Sequence, residues 1–122
     1  MKVTLLNLYS PEGQSSINKL AESKTSDLTT MRISLRLMKA AKEHDDELQA
    51  VVSKLNEIYK PKLEELGDYN VSLRNEINAK LVEELGKAEA EIDIEPLTLE
   101  QLHTAGLTAK DIMQIEWLLL GD

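Results

Sequence analysis

The feature that most constrains the fold is one apolar seam in the middle of the chain. Its seven members are separated alternately by four and three residues: Leu37, Ala41, His44, Leu48, Val51, Leu55 and Ile58. This spacing places them on one face of an α-helix. It lasts for about three heptads, so it suits a helix hairpin within one chain as well as a coiled coil between chains. Pro61 predicts a kink or break, and Gly67 predicts the end.

A second amphipathic helix is predicted soon after the first. Leu73, Ile77, Leu81 and Leu85 recur every four residues, and the pattern ends near Gly86. Because the connection at residues 67–70 is short, the two helices are expected to pack antiparallel as a hairpin.

The two ends of the chain predict smaller elements. Residues 2–8 and the alternating segment Ala90, Ile92, Ile94 are predicted to be two paired strands, the second ended by Pro96. Ser10 and Pro11 predict a helix reaching about residue 22, and residues 23–30 a polar connection. Thr98 and Thr108 each predict the start of a short C-terminal helix. We therefore predict a single domain over residues 1–122. Its class is α+β, predominantly α, with a long-helix hairpin, a short two-stranded sheet and small C-terminal helices.

Charge is distributed unevenly between the two halves of this acidic chain, whose net charge is −8. Residues 1–62 carry ten Lys/Arg and eight Asp/Glu, a balance of +2, whereas residues 63–122 carry four and fourteen, a balance of −10. The asymmetry allows head-to-tail contact between copies, packing of opposite charges within one chain, or docking of an acidic face on a basic partner.

Three groups of residues are candidates for binding a partner protein. The first is a basic helix face, Arg32, Arg36 and Lys39; the second is one acidic face of the predicted strand, Glu89, Glu91, Asp93 and Glu95; the third is the lone tryptophan, Trp117. Trp117 suits either an interface anchor or a core position. The acidic run around His44 lacks a second nearby histidine, so we predict no metal site there.

The sequence favours a binding role over catalysis. It contains no nucleophile–base motif and no phosphate-binding glycine loop, so no catalytic residue and no cofactor are predicted. The negative charge argues against direct nucleic-acid binding. Cysteine is absent and no apolar run approaches the roughly 20 residues of a membrane span, so we expect a cytoplasmic protein without membrane contact.

The order of segments resembles a known group of viral proteins. The segments are SLRLMKAAKEHDDELQAVVSKLNEIY, LRNEINAKLVEEL, AEIDIEPLTLEQL and GLTAKDIMQIEWLL. Their organisation resembles a family of small uncharacterised proteins encoded by tailed bacteriophages. The resemblance implies expression in the cytoplasm of an infected bacterium. It also implies that the protein binds and inhibits or modulates a host protein, such as a nucleic-acid enzyme or a defence factor. Two alternatives are an accessory factor in virion assembly and a homo-oligomeric helical adaptor, for instance a homodimer.

Overall fold

The computed structural model describes residues 1–120 and is built mainly from helices. In chain order its elements are β1 (Lys2–Thr4), α1 (Leu5–Tyr9), α2 (Pro11–Glu22), α3 (Leu28–Glu43), α4 (Asp45–Leu66), α5 (Val71–Lys87), β2 (Glu89–Glu91), α6 (Leu99–Thr104), α7 (Ala109–Gln114) and a 3₁₀ turn (Glu116–Leu118). The predicted class, a predominantly α-helical α+β fold with a two-stranded sheet, is confirmed.

The sheet is antiparallel and shorter at both strands than the sequence predicted. Val3 lies opposite Ala90 in the register, and Thr4 lies opposite Glu89. The prediction of a strand over residues 2–8 was wrong beyond Thr4. The Thr4 side chain accepts a hydrogen bond from the Asn7 backbone N–H and caps α1 there. A capped helix start therefore replaces the strand after only three residues.

The second strand also ends earlier than predicted. Ile92 and Ile94 are buried, as their alternation with acidic residues predicted, but both lie beyond β2. The Ile92 N–H still donates to the Met1 carbonyl, whereas the Ile94 N–H donates to the Ile92 carbonyl within its own segment. The alternation thus identified which side chains enter the core, although the backbone leaves the sheet.

The long helix is broken at His44 and not at Pro61, so the predicted position of the break was wrong. His44 leaves helical geometry with φ −99° and ψ 5°, ending α3 and preceding α4. The first turn of α4 holds three carboxylates, Asp45, Asp46 and Glu47. Negative charge favours the N-terminal end of a helix dipole, which stabilises a new start at this point. Pro61 lies inside α4, which continues to Leu66.

The hairpin formed by α4 and α5 confirms the predicted antiparallel pair, with one change in its inner face. Ile58, predicted to lie on the seam, is 59% exposed, whereas the neighbouring Tyr59 is 7% exposed. Tyr59 packs with Leu55 and Leu73 in a small cluster of three buried residues. We call the part of the hairpin around this cluster, residues 51–63 of α4 and 73–81 of α5, the arm.

The main core lies under the rest of the chain. It brings together buried side chains from β1, α1, α2, α3, the end of α5 and the C-terminal helices. Leu5, Leu97, Leu102, Ile115 and Leu118 are completely buried within it. As the composition implies, this core is aliphatic, and it fixes α3 with one face inward.

A polar contact joins α2 to α7 beside this core. The Lys19 Nζ lies 2.7 Å from Oδ1 of Asp111, and the Ser16 hydroxyl donates to the Asp111 carbonyl at 2.8 Å. Asp111 also accepts from the Thr108 N–H, completing the predicted capping pattern at the start of α7. The hydrogen bond from Lys19, followed by that from the Thr108 backbone, lowers the pKa of Asp111 to about 2.

The Asp111 contact should make stability depend on pH in the acidic range. The folded pKa, about 2, lies below the ordinary value of 3.8, so the ionised carboxylate stabilises the folded state. Its contribution is complete above about pH 5 and is lost as the pH falls towards 2. We expect Asp111→Asn to lower stability at pH 7 and to lose most of that effect near pH 2, measured by urea unfolding at several pH values.

Asp93→Asn provides the control for this prediction, because the Asp93 side chain is 97% exposed. Its effect at pH 7 should be much smaller than that of Asp111→Asn. A constant difference between Asp111→Asn and the unmodified protein from pH 7 to pH 2 would contradict the assignment.

Within residues 1–120, the helices are all too short or too polar to cross a lipid bilayer.

Candidate protein-binding surface

The basic face and the acidic face predicted from the sequence lie against each other in one chain. Arg36 donates from Nη1 to the Asp93 carbonyl at 2.7 Å and lies 3.3 Å from the Asp93 carboxylate. Nη2 of Arg32 lies 3.8 Å from the carboxylate of Glu95. Of the interpretations of the charge asymmetry, the one with opposite charges packed within one chain describes this region.

The other predicted charged residues are more scattered. Lys39 lies 3.9 Å from Glu43, one turn later on the same helix. Glu91 accepts from the amino group of Met1 at 3.0 Å, and Glu89 is exposed at the edge of β2. The four acidic residues therefore form no common site. The first two lie by the sheet and the last two along α3.

Trp117 is partly buried and packs against the main core from the 3₁₀ turn. This position agrees with the core alternative that the sequence allowed. Among the residues that the structure describes, no group of three or more His, Asp or Glu side chains is placed to hold an ion.

A surface that the sequence analysis missed runs along the outside of α3. Its members are four apolar side chains: Leu28, Met31, Leu35 and Met38. Their exposed fractions are 82%, 41%, 58% and 39%, in that order. We call these four residues the α3 stripe. A cluster of exposed apolar side chains along one helix differs from the scattered ones that any soluble protein carries.

Helix α3 is apolar on two sides, one in the main core and one forming the stripe, and helix geometry explains both. Residues advance by about 100° around an α-helix, so positions separated by three, four and three residues stay on one face. Leu28, Met31, Leu35 and Met38 have that spacing. Ile33 and Leu37 point to the other side and are 1% exposed in the main core.

Cations border the stripe on one side and extend it at one end. Arg32, Arg36 and Lys39 lie on the side facing the acidic segment, residues 93–95, and their side chains are 43–77% exposed. Lys42 follows Met38 by four residues, which places it in line with the stripe, and it is exposed. The surface is therefore apolar along its centre, mixed in charge along one border and cationic at its C-terminal end.

The stripe was missed because residues 23–30 were interpreted as a polar connection. That interpretation was wrong for the last three residues. Asp27 accepts from the Thr30 N–H at 2.7 Å and so caps a helix that begins at Leu28. The signal was present in the sequence, since Asp27 is a favoured capping residue and the 3, 4, 3 spacing begins directly after it. The apolar face of this helix was predicted from the more extensive seam that begins at Leu37, and the spacing of residues 28–38 was not considered.

Comparison with protein-family models, with curated proteins and with solved structures found no match to this chain. The resemblance to small bacteriophage proteins therefore stays a prediction from the order of segments.

Proposed function

We propose that the protein acts by binding another protein, and that the α3 stripe is the surface that receives an amphipathic helix of that partner. The observation that carries the proposal is the row of four exposed apolar side chains on α3. The stripe lies on a helix whose opposite side is fixed in the main core. It is therefore presented on a rigid support, which limits the entropy lost on binding.

The spacing of the stripe favours a helix as the bound element. Apolar residues at alternating intervals of three and four form the seam along which two helices pack. Peptide helices that bind in this way contribute anchors at the same intervals. An extended strand would instead need unpaired backbone groups, and α3 has its own backbone bonded within the helix.

The charges around the stripe favour carboxylates on the bound helix. Lys42 lies in line with the four apolar side chains, and Lys39 lies beside them. A carboxylate opposite Lys42 would gain a contact at the end of the seam. Acidic residues along the border would share Arg32, Arg36 and Lys39 with the carboxylates that already lie beside them. The partner that we propose therefore carries an amphipathic helix with acidic residues beside its apolar face.

The identity of the partner distinguishes the two roles predicted from the sequence, inhibition or modulation of a host protein and assembly of a virion. In an infected bacterium, the proposed role is to bind and inhibit or modulate a host protein without catalysis. An assembly role in the virion is the alternative. The two differ in which proteins the stripe would retain, and that difference can be measured.

The test is affinity capture from a bacterial lysate with the unmodified protein and with Leu35→Asp. Leu35 lies in the centre of the stripe, so a charge there should reduce retention of the partner by about tenfold or more. Cross-linking mass spectrometry of the captured complex should place an acidic amphipathic helix of the partner against residues 28–42. Recovery of a nucleic-acid enzyme or defence factor supports the inhibitory role, and recovery of capsid or tail proteins supports assembly.

Ile58→Asp is the matched control, because Ile58 is 59% exposed and lies on α4 rather than on the stripe. Circular dichroism should show both variants folded. The proposal fails if Leu35→Asp retains the same proteins as the unmodified chain, or if Ile58→Asp loses them equally.

A further inference from the structure

The spacing of the α3 stripe is the same when it is read in either direction along the helix. The intervals are three, four and three, and Leu and Met alternate along them. If two copies of α3 lie antiparallel, Leu28 faces Met38 of the second copy, and Met31 faces Leu35 of the second copy. Every contact then joins a Leu to a Met. We propose that the stripe pairs with the stripe of a second copy when no partner helix is bound.

This pairing is closed by a two-fold axis. The axis passes midway between Met31 and Leu35, so the same surface is used by both copies and no further copy can add. Methionine is unbranched and adapts its shape to a neighbour, which suits a seam with a Met in each layer. The inference rests on the proposed function only in taking the stripe as a binding surface.

The charged border does not oppose the pairing. Arg32 lies close to the level of the axis, so the two copies bring their Arg32 side chains near each other. Each copy also brings two carboxylates: Glu95 lies 3.8 Å from Arg32, and Asp93 lies 3.3 Å from Arg36. Lys39, the third cation of the border, lies 3.9 Å from Glu43. The border thus holds three cations per copy, each within 3.9 Å of a carboxylate, and each arginine can bind a carboxylate of the other copy instead of repelling it.

The second copy does not use the whole surface. Lys42 follows Met38 by four residues. In the antiparallel pair, the position opposite Lys42 comes before Leu28 of the second copy, and Leu28 is the first residue of α3. Four side chains per copy bury less than the roughly 1,200 Å² of a standard interface, so the pair should be weak and reversible. A longer acidic helix would also reach Lys42 and should displace the second copy.

Disulfide trapping tests the pairing directly, because the chain contains no cysteine. Met31→Cys and Leu35→Cys variants are mixed in equal amounts and oxidised mildly. Antiparallel pairing places position 31 of one copy opposite position 35 of the other, so the two introduced thiols meet in the seam, as a disulfide requires. We expect the mixed disulfide to form about tenfold faster than either variant alone forms its own dimer.

Ile58→Cys is the control for random collision, since Ile58 is similarly exposed but lies on α4. A mixed disulfide that forms no faster than the Ile58→Cys dimer would overturn the inference. Faster dimers of each single variant would also overturn it, because they indicate parallel pairing.

The two proposals can fail separately. If trapping fails while Leu35→Asp still loses its captured partner, only the pairing of copies is wrong. If trapping succeeds while capture is insensitive to Leu35→Asp, the proposed function is wrong and the stripe is an interface between copies alone.

Discussion

Replacing Leu37 by alanine should lower the free energy of unfolding by about 2–5 kcal/mol, the usual range for a buried leucine. Leu37 is 1% exposed in the main core. Truncation removes buried apolar atoms and leaves a cavity that its neighbours fill only in part. Because small domains have about 5–15 kcal/mol of total stability, the loss would be large.

Leu35→Ala is the matched control, since it changes the same residue type two positions earlier on the same helix. Leu35 is 58% exposed, so its truncation should change stability by about 0.5 kcal/mol or less. Urea unfolding followed by circular dichroism measures both values. Equal losses at the two positions would mean that Leu35 is covered in solution or that α3 is rotated from the orientation described.

Replacing Pro61 by alanine should stabilise the protein by about 1–3 kcal/mol, an unusually large gain for an exposed position. Pro61 lies inside α4, where proline has no N–H to donate and crowds the preceding turn. Alanine restores the donor and is the best helix former, about 3 kcal/mol better than proline in a helix interior. The gain is smaller than that difference because proline also restricts the unfolded chain.

The neighbouring Lys60→Ala separates the proline effect from the effect of a new alanine. Lys60 is also exposed on α4, so its replacement should change stability by only a few tenths of a kcal/mol. The midpoint of urea unfolding should rise for Pro61→Ala and stay nearly constant for Lys60→Ala. A destabilised Pro61→Ala would indicate that α4 is broken near Pro61, as the sequence alone predicted.

The sequence predicted helix faces better than it predicted where helices end. The periodic apolar residues identified the hairpin and the buried Leu37 and Leu55, because burial follows directly from spacing. The break at His44 could not be read in this way, since the seam continues through it without a change of interval. It depends on how far the carboxylates in the first turn of α4 stabilise a new helix start, and the spacing of apolar residues does not report that effect.

The candidate surface was predicted in part. The charge asymmetry allowed packing of opposite charges within one chain, but it did not indicate that Arg36 and Asp93 would be among the residues that pair. That pairing depends on the path of residues 92–96, which leave the sheet after β2. The α3 stripe was readable from its spacing, yet its exposure was not, because a sequence cannot say which side of a helix with two apolar sides meets the core.

The small cluster in the arm implies that the molecule opens in two stages. Leu55, Tyr59 and Leu73 are the buried residues of that cluster, whereas the main core holds many more. Amide protons in the outer turns of α4 and α5 should exchange with solvent by local opening, at a free energy well below that of global unfolding. Those on the inner side of α3 should exchange only when the whole chain unfolds. The helix that presents the stripe would then be among the slowest-exchanging parts of the protein, and the arm among the fastest.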